Sequence, residues 1–222
     1  MSATRTFAAR SVSDISSLIR DYPLAWLVSA GEGGIHSTQV PLLADFAPDG
    51  GVIRLLGHVD RRNPHLAALQ QDGRATALFA GPHGYISPSW FRDRTQALTW
   101  NLTTVKIQLQ VSIDDRSACA DSVLARLVEQ MERGRPQAWS VADMAERYHQ
   151  LRRGIVGFYG QVFGIEVKFK LGQNERLDVL ADQIAGLEAN GNTDLAKLMR
   201  EHNDHRAQLL TESRQSSSTG HD

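Results

Sequence analysis

The chain has 222 residues, of which 24 are lysine or arginine and 25 are aspartate or glutamate, so the net charge at pH 7 is −1. Hydrophobic residues make up 41% and charged residues 22%, a composition that is usual for a globular domain and excludes an intrinsically disordered chain. The neutral charge disfavours direct DNA binding, while the single cysteine and the lack of a signal peptide or long apolar run predict a cytoplasmic protein.

The first half of the chain alternates apolar and polar residues between glycine and proline turns, which predicts β-strands. The predicted strands lie at residues 24–30, 35–43, 51–59, 74–81 and 105–113. A short helix is predicted at 62–73, with Asn63 as its cap and Pro64 in its first position. Glycine and proline are frequent in the stretch 81–91, which predicts an irregular loop.

Helical spacing of apolar residues dominates the second half. Helices are predicted at 115–134, 140–154, 174–191 and 192–203. Residues 154–172 have strand character that we expect to be broken near Gly160 or Gly164. Because the strands are not each followed by a helix, the pattern predicts an α+β or mainly β fold. We expect one domain over residues 1–205, with a helical insertion near 115–154 and a disordered tail over 206–222.

The stretch GHVDRRNPH at 57–65 joins the end of a strand to the start of a helix. Free backbone N–H groups at a helix start, flanked by His58, Arg61 and Arg62, form a suitable phosphate site. The alternative is a plain strand-to-helix corner with solvated arginines, since most helix caps bind nothing.

The predicted loop at 81–91 contains groups that could surround a ligand. Ser87 and Ser89 can donate hydrogen bonds, and Tyr85 or Trp90 offers a flat face for stacking. The alternative is a loop that buried aromatic side chains anchor to the core.

Two further short motifs have the same ambiguity. TWN at 99–101 places Trp100 beside an amide, which could frame a heteroaromatic ring or pack in the core. KFKLGQN at 168–174 places Lys168 and Lys170 on one strand face, which could bind a ligand or form a solvated basic edge.

Several well-known site motifs are missing. The sequence contains no Rossmann or P-loop glycine fingerprint and no nucleophile-elbow or paired-cysteine pattern. The histidines are scattered without a carboxylate at ligand spacing, which predicts that there is no metal site. No pattern in the sequence resembles a catalytic nucleophile with an adjacent base, so the sequence identifies no catalytic residue.

Taken in order, these motifs resemble those of the PaiB-type FMN-binding split-barrel proteins, known as negative transcriptional regulators. The resemblance runs from Phe7 to Met199. It is carried by PLAWLVS at 23–29, VPLL at 40–43, GHxxRxNP at 57–64, GPxxYISPSW at 81–90, TWN at 99–101, IVGF at 155–158 and KLxQN at 170–174.

The resemblance implies an α+β, mainly β fold: an FMN-binding split β-barrel with inserted and C-terminal helices. It also implies a homodimer with FMN at the subunit interface, which would suit the polar face of the strand at 105–113. The residues implied for the phosphate and ribityl end are His58, Arg61 and Asn63. Those implied around the flavin ring are Ser87, Ser89, Trp90, Trp100 and Asn101. Those implied to close the site are Lys170, Gln173 and Asn174.

Three functions remain open. The first is an FMN-binding homodimer that regulates gene expression, with direct DNA contact unsupported by its charge. The second is an FMN-dependent oxidoreductase that reduces a small molecule with a nicotinamide donor. The third is a flavin-free split barrel, which would be a scaffold or would bind haem through His58 or His83.

Overall fold

The protein's structure, a computed structural model, describes the backbone of residues 6–31 and 33–218 and the side chains as far as Arg206. Its strands are β1 (Leu24–Gly31), β2 (Gly34–Pro41), β3 (Leu43–Phe46), β4 (Val52–Asp60), β5 (Arg74–Ile86), β6 (Thr99–Asp114) and β7 (Ile155–Lys170). Its helices are α1 (Val12–Asp21), α2 (His65–Gln71), α3 (Ser117–Glu132), α4 (Glu146–Arg152), α5 (Leu177–Ala189) and α6 (Thr193–Ser218). Short 3₁₀ turns lie at Pro88–Trp90 and Val141–Met144.

The seven strands form one sheet in the order β2-β1-β5-β6-β7-β4-β3. The predicted hairpin is present, because β1 and β2 pair antiparallel from Leu24 opposite Pro41 to Gly31 opposite Gly34. Strand β6 has the predicted alternation, and its inward side chains Val105, Ile107 and Leu109 are fully buried. The fold is therefore α+β and mainly β.

The prediction of an irregular loop over 81–91 was wrong for its first half. Strand β5 continues through Pro82 to Ile86, but its alternation changes phase at Pro82 and His83: the buried residue before them is Gly81, and those after them are Gly84 and Ile86. The carbonyl of Pro82 accepts a hydrogen bond from the Thr103 hydroxyl at 3.1 Å, so the proline is held although it has no N–H to donate. Only the last part leaves the strand, and it forms the short turn at Pro88–Trp90.

The predicted break near Gly160 or Gly164 is also absent, because β7 runs uninterrupted from Ile155 to Lys170. A Cβ atom on Gly160 would lie 3.2 Å from Leu109, and one on Gly164 would lie 2.6 Å from the side chain of Gln108. These glycines therefore admit neighbouring side chains close to the strand and do not interrupt it.

Two helix starts differ from the sequence analysis. Helix α1 was not predicted; a capping box between Ser11 and Asp14 starts it, and Leu18 and Ile19 anchor it in the core. Helix α2 begins at His65, later than expected, but the Asn63 side chain still caps it by accepting a hydrogen bond from the His65 N–H at 2.9 Å.

The helical insertion follows β6, as the sequence pattern predicts. Helix α3 buries Cys119 and Val123 against Leu43 and Leu56 of β3 and β4, and the half-buried Leu127 and Tyr159 pack around this cluster. After α3 the chain passes through the 3₁₀ turn at Val141–Met144 into α4.

The C-terminal end is more helical than the sequence predicts. Helix α6 continues to Ser218, whereas we expected a disordered tail from residue 206; the last part of that tail, residues 219–222, lies outside the described residues. None of the described helices is both long and apolar enough to cross a membrane.

The chain divides into two compact units. Among the described residues, the larger unit comprises those of 11–79 and 105–166, and the smaller unit comprises those before residue 11, those of 80–104 and those from 167 onward. The expectation of a single domain over residues 1–205 stays a prediction. Of the predicted site residues, His58, Arg61 and Asn63 belong to the larger unit and the others belong to the smaller unit.

Candidate functional site

Three aromatic rings lie together on the surface of the smaller unit, and we call them the aromatic face: His83, Tyr85 and Trp100. The ring centres of His83 and Trp100 are 6.5 Å apart in a stacked arrangement, and those of Tyr85 and Trp100 are 6.0 Å apart. Tyr85 is 41% and Trp100 51% exposed. Covering such exposed rings with a second flat apolar surface lowers the free energy, because it removes apolar area from water.

The part of β5 that carries His83 and Tyr85 is held in place by contacts with Asn192. Gly84 is buried between His83 and Tyr85, and a Cβ atom there would lie 2.6 Å from the amide nitrogen of Asn192. That amide donates a hydrogen bond to the His83 carbonyl at 3.0 Å. The His83 ring donates from Nδ1 to the Gly81 carbonyl at 3.0 Å, so its Nε2 is the acceptor when the ring is neutral.

Asn101 points to the opposite side of β6 from Trp100. It is 1% exposed, and its amide donates hydrogen bonds to Gln183 Oε1 at 3.2 Å and Met199 Sδ at 3.4 Å. The structure therefore brings Trp100 to the surface and commits Asn101 to the contact with α5 and α6.

The serines and the tryptophan of the following turn have different environments. The Ser87 and Ser89 hydroxyls are 2.8 Å apart, and Ser87 caps the 3₁₀ turn by accepting from the Ser89 N–H. Trp90 is half-buried and lies against Gly186, where an added Cβ would come within 2.3 Å of the indole. The serines therefore remain available at the surface, while Trp90 anchors the turn to α5.

The motif at 170–174 forms a turn that follows the end of β7. The Lys170 ammonium donates to the Thr99 hydroxyl, next to Trp100 in the chain. The Gln173 side chain donates to the Phe169 carbonyl and accepts from the Leu171 N–H at 2.7 Å, so it closes the turn. Asn174 is exposed.

In the larger unit, two ion pairs involve the arginines of the corner between β4 and α2. Arg61 donates to Asp115 Oδ1 at 2.5 Å and to the Arg153 carbonyl at 3.1 Å, while Arg62 pairs with Asp60 at 3.1 Å. The hydrogen bond from Arg61 holds the pKa of Asp115 below its usual range. The cations expected to bind phosphate therefore already have carboxylate partners.

The corner also contains a buried histidine that sequence reasoning missed. His65 is 2% exposed; its Nε2 lies 2.9 Å from the Ser29 hydroxyl and its Nδ1 2.9 Å from Thr38 Oγ1. Asn63 donates to the same Thr38 oxygen at 3.1 Å, and the ring of His36 stacks on His65 at 5.8 Å. Since its partners come from β1 and β2, no local pattern in the sequence could have identified this network.

Burial, and then the neighbouring His36, lower the pKa of His65, so its ring is neutral at pH 7. With both ring nitrogens bonded, His65 fixes the start of α2 and the orientation of Asn63. It is a positioning group for the corner and has no free nitrogen for a ligand.

His58 lies elsewhere in the larger unit, at an apolar cavity of about 210 Å³ under the helical insertion. Its Nδ1 is buried and has no hydrogen-bond partner among the described residues. Burial lowers its pKa, so this ring is also neutral at pH 7. No described hydrogen bond joins His58 to Arg61 or Asn63, so the structure does not assemble these three side chains into one cluster.

A second exposed surface of the larger unit is apolar, and we call it the apolar sheet face. It consists of the exposed side chains of Trp26, Ile35, Leu78, Phe163 and Ile165. Trp26 and Leu78 are paired across β1 and β5, and Ile35 and Phe163 border an open cavity of about 420 Å³ with Gln108 on its wall. On the polar side of β6, Lys106 pairs with Glu166 at 3.0 Å.

Comparison with known proteins gives consistent results. The family model described as "Putative FMN-binding domain" matches residues 1–163. The chain is 27% identical to the Bacillus subtilis protein called protease synthase and sporulation protein PAI 2, over 76% of this chain and 80% of that one. It is 29% identical to an uncharacterized protein of Saccharomyces cerevisiae over 52% of this chain and 70% of that one.

Among solved structures, an FAD and haem binding protein from Mycobacterium smegmatis aligns with a TM-score of 0.54 at 13% identity, over 78% of each chain. A conserved hypothetical protein from Mycobacterium tuberculosis aligns with a TM-score of 0.55 at 12% identity, over 77% of this chain and 91% of that one. At such identities the likeness concerns the fold alone.

Proposed function

Since this chain belongs to the family of FMN-binding split-barrel proteins and resembles the PaiB-type regulators, we propose that it works in the cytoplasm as a homodimeric flavoprotein that regulates gene expression through a protein partner. Its cofactor is FMN. The observation that carries the proposal is the aromatic face, because Tyr85 and Trp100 leave two large flat rings exposed beside polar groups.

The residues of the smaller unit fit a flavin. Trp100 and Tyr85 offer ring faces to the isoalloxazine, and Lys170 with Thr99 offers a cationic donor for an anionic or carbonyl edge. Ser87 and Ser89 can donate to ring or ribityl oxygens, as can the exposed amide of Asn174. When bound, FMN supplies one- and two-electron transfer, while the protein supplies binding and orientation.

Three other predicted residues act through their neighbours in this proposal. Asn101 holds β6 against α5 and α6, Trp90 anchors the turn on Gly186, and Gln173 closes the turn after Lys170. We expect these three to position the residues that contact the flavin without touching it themselves.

Within the larger unit, the residues implied for the phosphate end are proposed as an anion site at Arg61, with Asn63 held in place by His65 and with His58 preceding them on β4. The side chains of Arg61 and Asp115 are 46% and 62% exposed, and ion pairs this exposed add little stability. A phosphate can accept two parallel hydrogen bonds from a guanidinium and can therefore replace Asp115 as the partner of Arg61.

The apolar sheet face supports the homodimer. Phe163 is 62% and Ile35 81% exposed, and contiguous exposed apolar residues mark interaction sites in soluble proteins. A second copy of the same face would cover these side chains, and Gln108 and the cavity beside it would become part of the interface.

A protein partner is favoured over DNA because the net charge is −1 and many of the arginines with described side chains already pair with carboxylates. Contact with several phosphates requires a stripe of available cations. In the described part of the chain, carboxylates pair with Arg54, Arg61, Arg62, Arg92, Arg116, Arg126, Arg133, Arg135, Arg152, Arg176 and Arg200.

The test is retention of FMN by purified protein after excess flavin is removed, followed by flavin absorbance and titration. We expect Trp100→Leu to weaken FMN binding about tenfold, because a ring stacked on the isoalloxazine is lost. The matched control is Trp139→Leu, which removes a comparably exposed indole outside the aromatic face. Equal affinities of both variants would refute the assignment of the aromatic face.

The same preparation separates the alternatives. Steady oxidation of NADH or NADPH by the FMN-loaded protein would favour the oxidoreductase. A haem absorbance band, without any uptake of FMN, would favour the flavin-free barrel. Retention of FMN with no turnover of a nicotinamide donor is the result that we expect of a regulator.

A further inference from the structure

We propose that the helical insertion of the larger unit forms a binding site for a small neutral aromatic molecule of one or two rings. The site is the apolar cavity between α3, the Val141–Met144 turn, α4 and the His58 side chain, and we call it the insertion cavity. The assignment rests on the lining, size and backbone of this cavity and does not depend on FMN.

The walls of the insertion cavity are apolar. Leu124 and Val128 come from α3, Trp139 and Met144 come from the connection that follows it, and Tyr148 comes from α4. Trp139 is 41% exposed, which places a flat indole where an incoming ring can stack on it. An apolar cavity of this kind holds water poorly and binds apolar ligands.

The polar groups at the edge of the cavity already bond to each other, which favours a neutral ligand. The Tyr148 hydroxyl donates to Asp121 Oδ1 at 2.5 Å, and Arg152 Nε lies 3.4 Å from the same oxygen. A carboxylate ligand would have to displace Asp121 to reach Arg152. Burial, followed by the hydrogen bond to Asp121, raises the pKa of Tyr148 to about 12, so its hydroxyl keeps its proton at pH 7.

One polar group faces the cavity without a complete set of partners. His58 lines it, and the buried Nδ1 of the same ring has no described hydrogen-bond partner. An unsatisfied buried nitrogen destabilises the unliganded protein, and a reorientation of the imidazole that satisfies it is favourable. A ligand with a single N–H or hydroxyl group could pair with this imidazole.

The volume limits the size of the ligand. An apolar cavity of about 150 Å³ accepts benzene, and pockets for drug-sized molecules begin at about 300 Å³. The insertion cavity, at about 210 Å³, lies between these values. It therefore suits a molecule of about the size of indole.

The backbone at the cavity is strained in a way that binding sites often are. Ala145 has φ 47°, and it is the one non-glycine residue with a positive φ in the described chain. It joins the Val141–Met144 turn to α4, so its conformation sets the positions of Met144 and Tyr148. Strained residues of this kind are concentrated at ligand clamps and switches.

If the proposed regulatory function holds, the insertion cavity is where a small molecule could act as a signal, because His58 is on β4, which leads directly into the Arg61 corner. This last step rests on the proposed function. The binding site itself can be tested without it.

The experiment is calorimetric titration of the full chain with indole, with and without FMN. We expect saturable binding with a Kd below about 1 mM. Indole-3-carboxylate should bind at least tenfold more weakly, because its charge finds no free cation. The absence of saturable heat with indole, or equal affinity for the carboxylate, would overturn the proposal.

The matched variants are Val128→Phe, which fills the cavity, and Val12→Phe, which makes the same change at an exposed position on α1. We expect Val128→Phe to weaken indole binding at least tenfold and Val12→Phe to leave it unchanged. If circular dichroism shows that Val128→Phe is unfolded, Trp139→Ala replaces it as the cavity variant, because it removes part of the cavity wall without adding bulk. Wild-type affinity in the folded cavity variants would refute the site.

FMN retention distinguishes the two proposals. Loss of FMN affinity in Trp100→Leu concerns only the aromatic face, and loss of indole affinity in Val128→Phe concerns only the insertion cavity. A protein that binds indole but no FMN would therefore refute the proposed function and support this site.

Discussion

His65 illustrates how a single side chain can organise a surface that it does not itself reach. Its two ring nitrogens pair with the hydroxyls of Ser29 and Thr38, and through Thr38 it fixes the amide of Asn63. Replacing it would leave the buried Ser29 hydroxyl without this partner, at a cost of about 1–3 kcal/mol, while the half-buried Thr38 hydroxyl would keep its hydrogen bond from Asn63.

This burial also makes stability depend on pH. The pKa of His65 in the folded protein is below its ordinary value of 6.5, so the unfolded chain takes up the proton first as the pH falls. Stability is therefore full above pH 6.5 and decreases below it, until the folded state is also protonated. We expect the free energy of unfolding in urea to fall between pH 7 and pH 5.5.

The comparison variants are His65→Gln and His205→Gln, of which the second is exposed on α6. His65→Gln should reduce the slope of stability against pH without abolishing it, because burial lowers the pKa of His58 as well. An unchanged slope in His65→Gln would contradict this account.

Among the elements, β7 shows that glycines inside one strand differ in how closely neighbouring atoms approach them. Gly157 lies under α3, where a Cβ atom would come within 2.5 Å of Cys119 Sγ and 3.0 Å of the Ala120 nitrogen. At Gly160 the nearest atoms belong to the Leu109 side chain, at 3.2 Å, and that side chain can shift.

We therefore expect Gly157→Ala to destabilise the protein by about 1–3 kcal/mol and Gly160→Ala to destabilise it less, as measured by thermal or urea unfolding. Adding Cys119→Ala to Gly157→Ala should restore part of the loss, because the closest contact is removed. Equal stability of the two single variants would show that α3 moves freely over β7.

The sequence carried enough information for most elements but not for their contacts. The alternation of β6 and the hairpin of β1 and β2 follow from local periodicity, which needs no knowledge of neighbours. The extension of β5 through Pro82 and the continuity of β7 depend on which side chains lie opposite, so local turn signals were misleading there.

The candidate site shows the same division. The exposure of Trp100 and the burial of Asn101 follow from strand alternation once the inward face of β6 is known. The pairing of Arg61 with Asp115 and the position of His58 at the insertion cavity join distant parts of the chain, so motif spacing could not reveal them.

At the scale of the whole molecule, a substitution on the apolar sheet face tests whether two copies of the chain associate through it. A carboxylate at Phe163 would be buried without a partner if two copies of this face met, so Phe163→Asp should convert the homodimer to a monomer. Light scattering coupled to size-exclusion chromatography measures this change. Lys168→Asp, which introduces the same charge at an exposed residue of β7 in the smaller unit, is the control.

A wild-type protein that is monomeric at micromolar concentrations would contradict the proposed dimer. A dimer that persists in Phe163→Asp would mean that another surface holds the two copies together.

The ion pair between Arg61 and Asp115 has a consequence for selectivity. Any anion that reaches this guanidinium must displace the Asp115 carboxylate, whose Oδ1 already accepts a hydrogen bond from Arg61, so Asp115 competes with that anion. We expect that a monovalent ion such as chloride does not displace Asp115 from Arg61. A phosphate dianion would displace it more readily, because it has more charge and more acceptor oxygens. In the proposed anion site, Asp115 would therefore make the corner discriminate among anions and would lower its affinity for all of them.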